Sequence, residues 1–286
     1  MPRGRGTGRG WLTRMTTLLS WIDRVFDLSF RVMRSLPSFV VLAVFSVFTA
    51  VTSLLVVRWT SDQKGIRRVK DLMGAHVLEV RLFPDQLSVV LRAYLTLLWN
   101  TLLYLRYTLV PLLVLSVPLL ILFAQLDAYF GRTPVEPGHD FLVRATFQTV
   151  GSPADPVLRL PPGLVQSAPA VHIPSERRVD WRLRAERPGS YVVRLVLPGD
   201  EISKQVVAGR GLTRIVSERV RGGLWQQIIN PGELPLLRAG LVKQIEVKYA
   251  ARVFHFRTLE IEWFIPYLVL TLAAALLLKR TLKAEI

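Results

Sequence analysis

The sequence predicts a membrane protein built from transmembrane helices and one β-sandwich domain. Its mean hydropathy is +0.35 although 20% of the residues are charged, so the apolar residues must be concentrated in blocks. Three such blocks, at 38–57, 107–126 and 263–278, contain no charged residue. Between the second and third blocks, short segments of alternating polarity are separated by proline and glycine, which is typical of strands joined by turns. The predicted order is therefore two spans around a helical hairpin, then the sandwich, then a third span.

Residues 1–37 are predicted to form a basic tail followed by an amphipathic helix. From Trp11 onwards apolar residues recur at helical spacing, and charged residues, among them Asp23 and Asp27, interleave with them on a basic polar face. This pattern is typical of a helix that lies in the membrane interface, and the alternative is a helix that packs on the protein's own soluble part. In the first interpretation, four arginines contact anionic headgroups: Arg14, Arg24, Arg31 and Arg34.

The first two apolar blocks are long enough to cross a bilayer. Residues 38–57 form an uncharged run, and a helix of about 20 residues covers a hydrocarbon core of about 30 Å. Residues 107–126 end at Asp127 and contain Pro111 and Pro118. Because backbone groups in lipid must be hydrogen-bonded internally, these prolines predict a kinked helix rather than a broken one.

The third block, 263–278, is shorter, and its flanks are predicted to anchor it. Trp263 and Tyr267 suit one membrane interface, since aromatic rings with a polar group concentrate there. Lys279 and Arg280 suit the other, because long basic side chains can extend from the end of a helix to the headgroups. Residues 279–286 are predicted to be a short basic tail.

Residues 58–106 are predicted to form a helical hairpin beside the membrane. Apolar residues recur at helical spacing on both sides of Pro84-Asp85, which is a turn signal. Ser61 or Asp62 is the expected N-cap of the first helix, because short polar side chains bind the free amides there. The second helix runs into the second span.

Residues 131–262 are predicted to form an immunoglobulin-like β-sandwich. The segment around Trp181 alternates apolar and polar side chains, and Pro188-Gly189 and Pro198-Gly199 mark turns. Six or seven short strands at this spacing are typical of two packed sheets. The predicted strands are 140–148, 157–160, 178–186, 189–198, 201–209, 213–220 and 244–256.

The stretch RWTSDQKGIRRVKDLMGAHVLEVRLFPDQLSVVLRAYLTLLWNTLLYLRYTLVPLLVLSVPLLILFAQLDAYFG resembles an uncharacterised family of bacterial integral membrane proteins. The motif "TSxQKGI" carries the resemblance through Thr60, Ser61, Gln63, Lys64, Gly65 and Ile66. The resemblance implies the same order throughout: span, hairpin, span, β domain, C-terminal span. Residues 38–126 are also remotely similar to the YidC-type insertase superfamily, in which a cytosolic helical hairpin separates two spans.

No residue is predicted to be catalytic, to bind a cofactor or to hold a metal. The chain has no cysteine, and it contains none of the phosphate-loop, metalloprotease or serine-hydrolase motifs. The four histidines are scattered along the chain. We therefore expect no enzyme and no cofactor, but a scaffold or accessory subunit of a membrane or envelope complex. The alternative is an insertase-like factor in membrane-protein biogenesis.

The charge predicts partners and location. A net charge of +16 favours anionic lipid headgroups as a partner over nucleic acid, and we expect other membrane proteins as further partners. Arginine outnumbers lysine, which is typical of a GC-rich genome and indicates a bacterium. For an integral membrane protein with helical spans, we then expect the bacterial inner membrane. Seven arginines precede the first span, whereas the hairpin and the C-terminal tail together carry eleven lysines and arginines. The positive-inside rule then places hairpin and tail in the cytosol and the sandwich on the exoplasmic side.

Overall fold

The structure, a computed structural model, divides the chain into two compact units. It describes residues 7–33, 35–60, 63–82, 87–148, 156–198, 200–222, 224–236, 240–256 and 259–279. One unit comprises Met1–Val41 and Ile121–Ile265, and the other comprises Leu42–Leu120 and Pro266–Ile286. The first contains the β domain, residues 131–262, and the second consists of helices.

The helices follow the predicted order. They are α1 (Thr7–Val32), α2 (Ser38–Thr60), α3 (Gln63–Leu82), α4 (Leu87–Phe130), α5 (Leu224–Ile229) and α6 (Phe264–Leu278). The amphipathic helix thus begins inside the segment that we predicted to be a tail. The N-cap predicted for α3 lies outside the described residues.

Two helices are long and apolar enough to cross a membrane. They are α2 and the Tyr94–Phe130 part of α4. Helix α2 begins at the first residue of the predicted span and ends at Thr60, which belongs to the resemblance motif. Helix α6 is apolar but has only 15 residues, so the third span stays a prediction.

Helix α4 is a single helix of 44 residues, and our boundary between hairpin and second span at residue 107 is not a helix end. Leucine, which has a high helix propensity, dominates both sides of that boundary. The hydroxyls of Thr101 and Thr108 donate to carbonyls one turn earlier, at 2.8 and 3.0 Å, so these polar groups are satisfied within the helix. Pro111 and Pro118 lie inside it, so neither proline breaks the helix, as predicted.

The β domain consists of antiparallel sheets. A five-stranded sheet has the order β3-β4-β1-β8-β7, a three-stranded sheet has the order β2-β5-β6, and β9 and β10 form a hairpin. The strands are β1 (Asp140–Phe147), β2 (Val157–Arg159), β3 (Leu164–Ile173), β4 (Arg178–Ala185), β5 (Gly189–Leu197), β6 (Asp200–Ala208), β7 (Glu218–Val220), β8 (Val242–Val247), β9 (Val253–Phe256) and β10 (Leu259–Glu262).

The five-stranded and three-stranded sheets share one core. Alternate residues of β1 and β4, such as Val143 and Trp181, are buried together with Val193 and Leu195 of β5 and Val206 of β6. Period-two alternation on each strand places these side chains on one face of its sheet. The arrangement agrees with the predicted sandwich, whereas its immunoglobulin-like character stays a prediction.

The predicted strands differ from the structure at the edge of the five-stranded sheet and in the C-terminal part of the β domain. We missed β3, which contains Pro169 and is largely exposed, because an edge strand need not alternate and proline is tolerated there. Of the predicted strand 213–220 only β7 forms. The predicted strand 244–256 is interrupted and yields β8 and β9.

A buried lysine occupies a core position of the three-stranded sheet. The Lys204 side chain on β6 is 0% exposed, and its Nζ donates to Glu233 Oε2 at 2.6 Å and to the Val216 carbonyl at 2.7 Å. Glu233 Oε1 also accepts from the Gln205 amide at 2.8 Å. Burial lowers the pKa of Lys204, and the charge of Glu233 opposes that shift. The ion pair therefore attaches the segment after α5 to β6.

Candidate membrane-interface site

Arg214 links helix α1 to the β domain. Arg214 lies in the loop between β6 and β7, and its guanidinium contacts two acidic residues of α1. Nε is 3.2 Å from Asp27 Oδ1, an ion-pair contact that lacks hydrogen-bond geometry, and Nη1 is 3.8 Å from Asp23 Oδ1. Nη2 donates to the Asp23 carbonyl at 3.2 Å. The Arg214 side chain is 15% exposed, so this contact is largely shielded from water.

The C-terminal end of α4 completes this polar cluster, which comprises Asp23, Asp27, Gln125, Tyr129 and Arg214. Gln125 Nε2 donates to Asp23 Oδ1 at 2.6 Å, and Gln125 Oε1 accepts from Arg214 Nη2 at 3.0 Å. The Tyr129 hydroxyl donates to Asp27, and the guanidinium lies 5.4 Å from the centre of the Tyr129 ring. Every member thus binds at least two others, and the cluster fixes the rotation of α1 about its own axis.

Aromatic rings pack beside the polar cluster. Phe30 of α1 stacks on Tyr129, with ring centres 3.6 Å apart, and meets the edge of Phe130 at 5.8 Å. Trp263 lies 6.2 Å from Phe130, and its Nε1 donates to Asp127 Oδ1 at 3.2 Å. Phe30 is consequently only 4% exposed. This face of α1, which carries Asp23, Asp27 and Phe30, is called the docked face below.

The opposite face of α1 is apolar and exposed. Trp21, Val25, Leu28 and Val32 are spaced by four, three and four residues, so they form one stripe along the helix. They are 60%, 58%, 62% and 74% exposed. These four residues are called the outer stripe below.

Basic side chains lie beside the outer stripe. Arg24 and Arg31 are exposed, and the Arg24 guanidinium lies 5.7 Å from the centre of the Trp21 ring. An apolar stripe flanked by arginines suits the boundary between acyl chains and anionic headgroups. The outer stripe and its arginines are therefore the candidate functional site.

The docked face agrees with the interpretation that α1 packs on the protein's own soluble part, whereas the interfacial position of α1 stays a prediction. The predicted polar face is wrong in one respect. We placed Asp23 and Asp27 on the same face as the arginines, whereas they lie on the docked face. The error has a physical cause. A helical wheel shows which residues share a face, but it cannot distinguish a carboxylate in water from one that is paired with Arg214, which lies 191 residues from Asp23 in the sequence. The only sequence signal is that the two acids are four residues apart and so share a face.

The remaining residues that we predicted at the membrane interface are either buried or outside the described part of the chain, except Lys279. Trp263 and Tyr267 are buried, at 5% and 8% exposure, and the Tyr267 hydroxyl donates to Thr49 Oγ1 at 3.1 Å. Their role as membrane anchors stays a prediction, as does that of Lys279, which follows α6. Nothing is described of the Arg14 side chain, Arg34 or Arg280.

Two residues of the resemblance motif lie in described helices: Thr60 ends α2, and Gly65 lies in the first turns of α3. Ser61 and the side chains of Gln63, Lys64 and Ile66 lie outside the described part.

Within the described part of the chain, no three metal-ligating side chains come together. Comparisons with protein-family models, curated proteins and solved structures find no match to this chain.

Proposed function

We propose that the chain is an integral membrane protein whose α1 lies in the bilayer interface and holds the β domain at the membrane surface. The observation that carries this proposal is the outer stripe of α1, which is exposed and flanked by Arg24 and Arg31. Helices α2, α4 and α6 are the three proposed spans, and the bacterial inner membrane is the proposed location. The docked face then couples the position of the β domain to that of the lipid surface.

A fluorescent probe at Leu28 tests the interfacial position of α1. Because the chain has no cysteine, Leu28→Cys can be labelled specifically with a polarity-sensitive dye in anionic nanodiscs. Spin-labelled lipids should quench this dye, whereas they should not quench a dye at Ser167→Cys on the exposed strand β3. Equal quenching at both sites, or none at Leu28, would contradict the proposal.

We further propose that the protein acts as a scaffold or accessory subunit of a membrane or envelope complex and is not an enzyme. A β domain attached to an interfacial helix and to apolar helices is suited to present a binding surface at a fixed height above the lipid. The test is cross-linking in native membranes, purification in mild detergent and mass spectrometry. Other membrane proteins should be cross-linked to the β domain. Recovery of this chain alone, or only of copies of it, would contradict the scaffold function.

The proposed orientation places the hairpin and C-terminal tail in the cytosol and the β domain on the exoplasmic side. The excess of basic residues in hairpin and tail supports this orientation. Single cysteines at Ser167, on β3, and at Ala75, exposed on α3, test it in intact cells with a membrane-impermeant maleimide. We expect labelling at position 167 and not at 75. The reverse pattern would invert the orientation.

An insertase-like role in membrane-protein biogenesis is the second candidate. The order of α2, α3 and α4 favours it, because a two-helix segment follows one apolar helix and continues into another, as in the insertases that residues 38–126 resemble. Within this segment Lys70 of α3 lies 5.7 Å from the centre of the Tyr104 ring of α4. Depletion of the protein should then reduce the membrane insertion of small client proteins. Unchanged insertion would reject this candidate.

A further inference from the structure

A row of leucines runs along one face of α4. Their spacings alternate strictly between four and three residues: Leu91, Leu95, Leu98, Leu102, Leu105, Leu109 and Leu112. All seven are exposed, between 42% and 62%. These residues are called the leucine seam below. Nothing in the described part of the chain covers them.

The leucine seam has the spacing of a coiled coil, although other apolar residues of α4, among them Val110 and Val114, are exposed outside it. In a coiled coil, apolar side chains occupy positions a and d of a seven-residue repeat. Because this repeat is slightly shorter than two turns of a straight helix, the two helices supercoil to keep these side chains in contact. With Leu95 and Leu102 at position a, Leu98 and Leu105 occupy position d. The seam therefore has the register of three heptads.

Helix α3 contacts a different face of α4. Its Lys70 lies over the ring of Tyr104, and Asn100 on that side of α4 is only 5% exposed. In the heptad register, Asn100 lies at position f, opposite the seam. The contact with α3 therefore leaves the leucine seam available.

Lipid alone does not cover the seam. Helix α4 has 44 residues and is about 66 Å long, whereas the hydrocarbon core is about 30 Å thick. If residues 107–126 cross that core, as the sequence predicts, the part of α4 before them, residues 87–106, extends about 30 Å beyond it. Five leucines of the seam lie in this part, where exposure to water is unfavourable.

We propose that the leucine seam joins two copies of this chain in a parallel coiled coil outside the hydrocarbon core. Two copies in one membrane have the same orientation, so their α4 helices run parallel. A face with leucine at every a and d position is complementary to itself, as a two-fold contact requires. The inference goes beyond the scaffold function, and it rests on the membrane insertion of α4.

The charges along the seam allow a parallel pairing. Arg92 and Arg106 lie at position e, and the g positions that face them across a parallel pair are uncharged, among them Thr101 opposite Arg106. An antiparallel pair would instead bring e positions of the two copies together, and arginines could then repel each other. The uncharged g positions thus favour the parallel arrangement.

Disulfide cross-linking in native membranes tests the register. Leu95→Cys, Leu98→Cys, Leu102→Cys and Leu105→Cys should each give a homodimer on mild oxidation. The control is Leu78→Cys on α3, because Leu78 is 58% exposed, as seam leucines are. We expect at least tenfold more dimer at the four seam positions than at position 78. No dimer at the seam, a dimer with another protein, or equal yields at position 78 would overturn the proposal.

Charge substitution provides a second readout that does not depend on oxidation. The double variant Leu98→Glu/Leu102→Glu should convert the full chain from dimer to monomer in detergent, measured by native mass spectrometry. The matched control is Val77→Glu/Leu78→Glu, since all four residues are between 52% and 60% exposed and none is needed for the core. A monomeric wild type, or a dimer that survives the seam variant, would contradict the proposal. Carbonate extraction reports membrane insertion separately, so a failure of insertion is distinguished from a failure to dimerise.

Discussion

Replacement of Arg214 by methionine is expected to weaken the attachment of α1 to the β domain while α1 stays helical and the β domain stays folded. The substitution keeps much of the side-chain volume but removes the charge that faces Asp23 and Asp27. Two carboxylates of the docked face then lie close together without their cation. We expect α1 to detach locally, because the polar cluster loses the member that binds both acids and Gln125.

The magnitude follows from the burial of the cluster. The side chains of Arg214, Asp23 and Asp27 are 15%, 20% and 44% exposed, so the contact is intermediate between a surface pair and a buried one. Exposed pairs contribute about 0.5 kcal/mol, whereas breaking a buried pair costs about 4 kcal/mol. We therefore expect a loss of about 2 kcal/mol in the free energy of local opening of α1, which corresponds to about 30-fold faster amide exchange.

Hydrogen exchange of the full chain in nanodiscs measures this loss. Amides on the last turns of α1 should exchange about 30-fold faster in Arg214→Met than in the wild type. Arg219→Met is the matched control, because Arg219 binds the Leu234 and Ser203 carbonyls, each at 2.6 Å, within the β domain. It should leave exchange in α1 unchanged. Unchanged exchange in Arg214→Met, or the same increase in both variants, would refute the role of the polar cluster.

Three further predictions concern stability, each measured by thermal unfolding of the full chain in detergent. Glu233→Gln should cost about 3 kcal/mol because it leaves the buried charge of Lys204 without its carboxylate, and the added Lys204→Met should recover most of that loss; full stability of the single variant would contradict this. Gly232→Ala should cost about 2 kcal/mol and Gly138→Ala about 1 kcal/mol, since both glycines have a positive φ that an L side chain disfavours. Only at position 232 would the added Cβ also approach another side chain, at 2.9 Å. Equal losses would contradict this steric contribution. Tyr267→Phe should cost about 0.6 kcal/mol, because it removes the hydroxyl that donates to a threonine of α2; a loss above about 2 kcal/mol would mean that the ring itself has moved.

Local pattern was sufficient for the apolar helices and for the strands that cross the core. Helix α2 begins at the predicted residue, because the uncharged run starts directly after Pro37. Strands β4, β5 and β6 lie within one residue of their predicted bounds, since burial on one face imposes a period of two. The edge strand β3 has no such constraint, and it was missed.

Tertiary structure alone decided which charges are partners and which apolar faces are left exposed. Asp23 and Arg214 are far apart in the chain, and no local pattern specifies which cation a carboxylate will meet when a loop closes on a helix. The leucines of α4 can be read from the sequence, but α3 could equally have covered them, and only the structure shows that it contacts another face. Hydrophobic burial is non-directional and acts through local pattern, whereas ion pairs and uncovered faces depend on how distant segments meet.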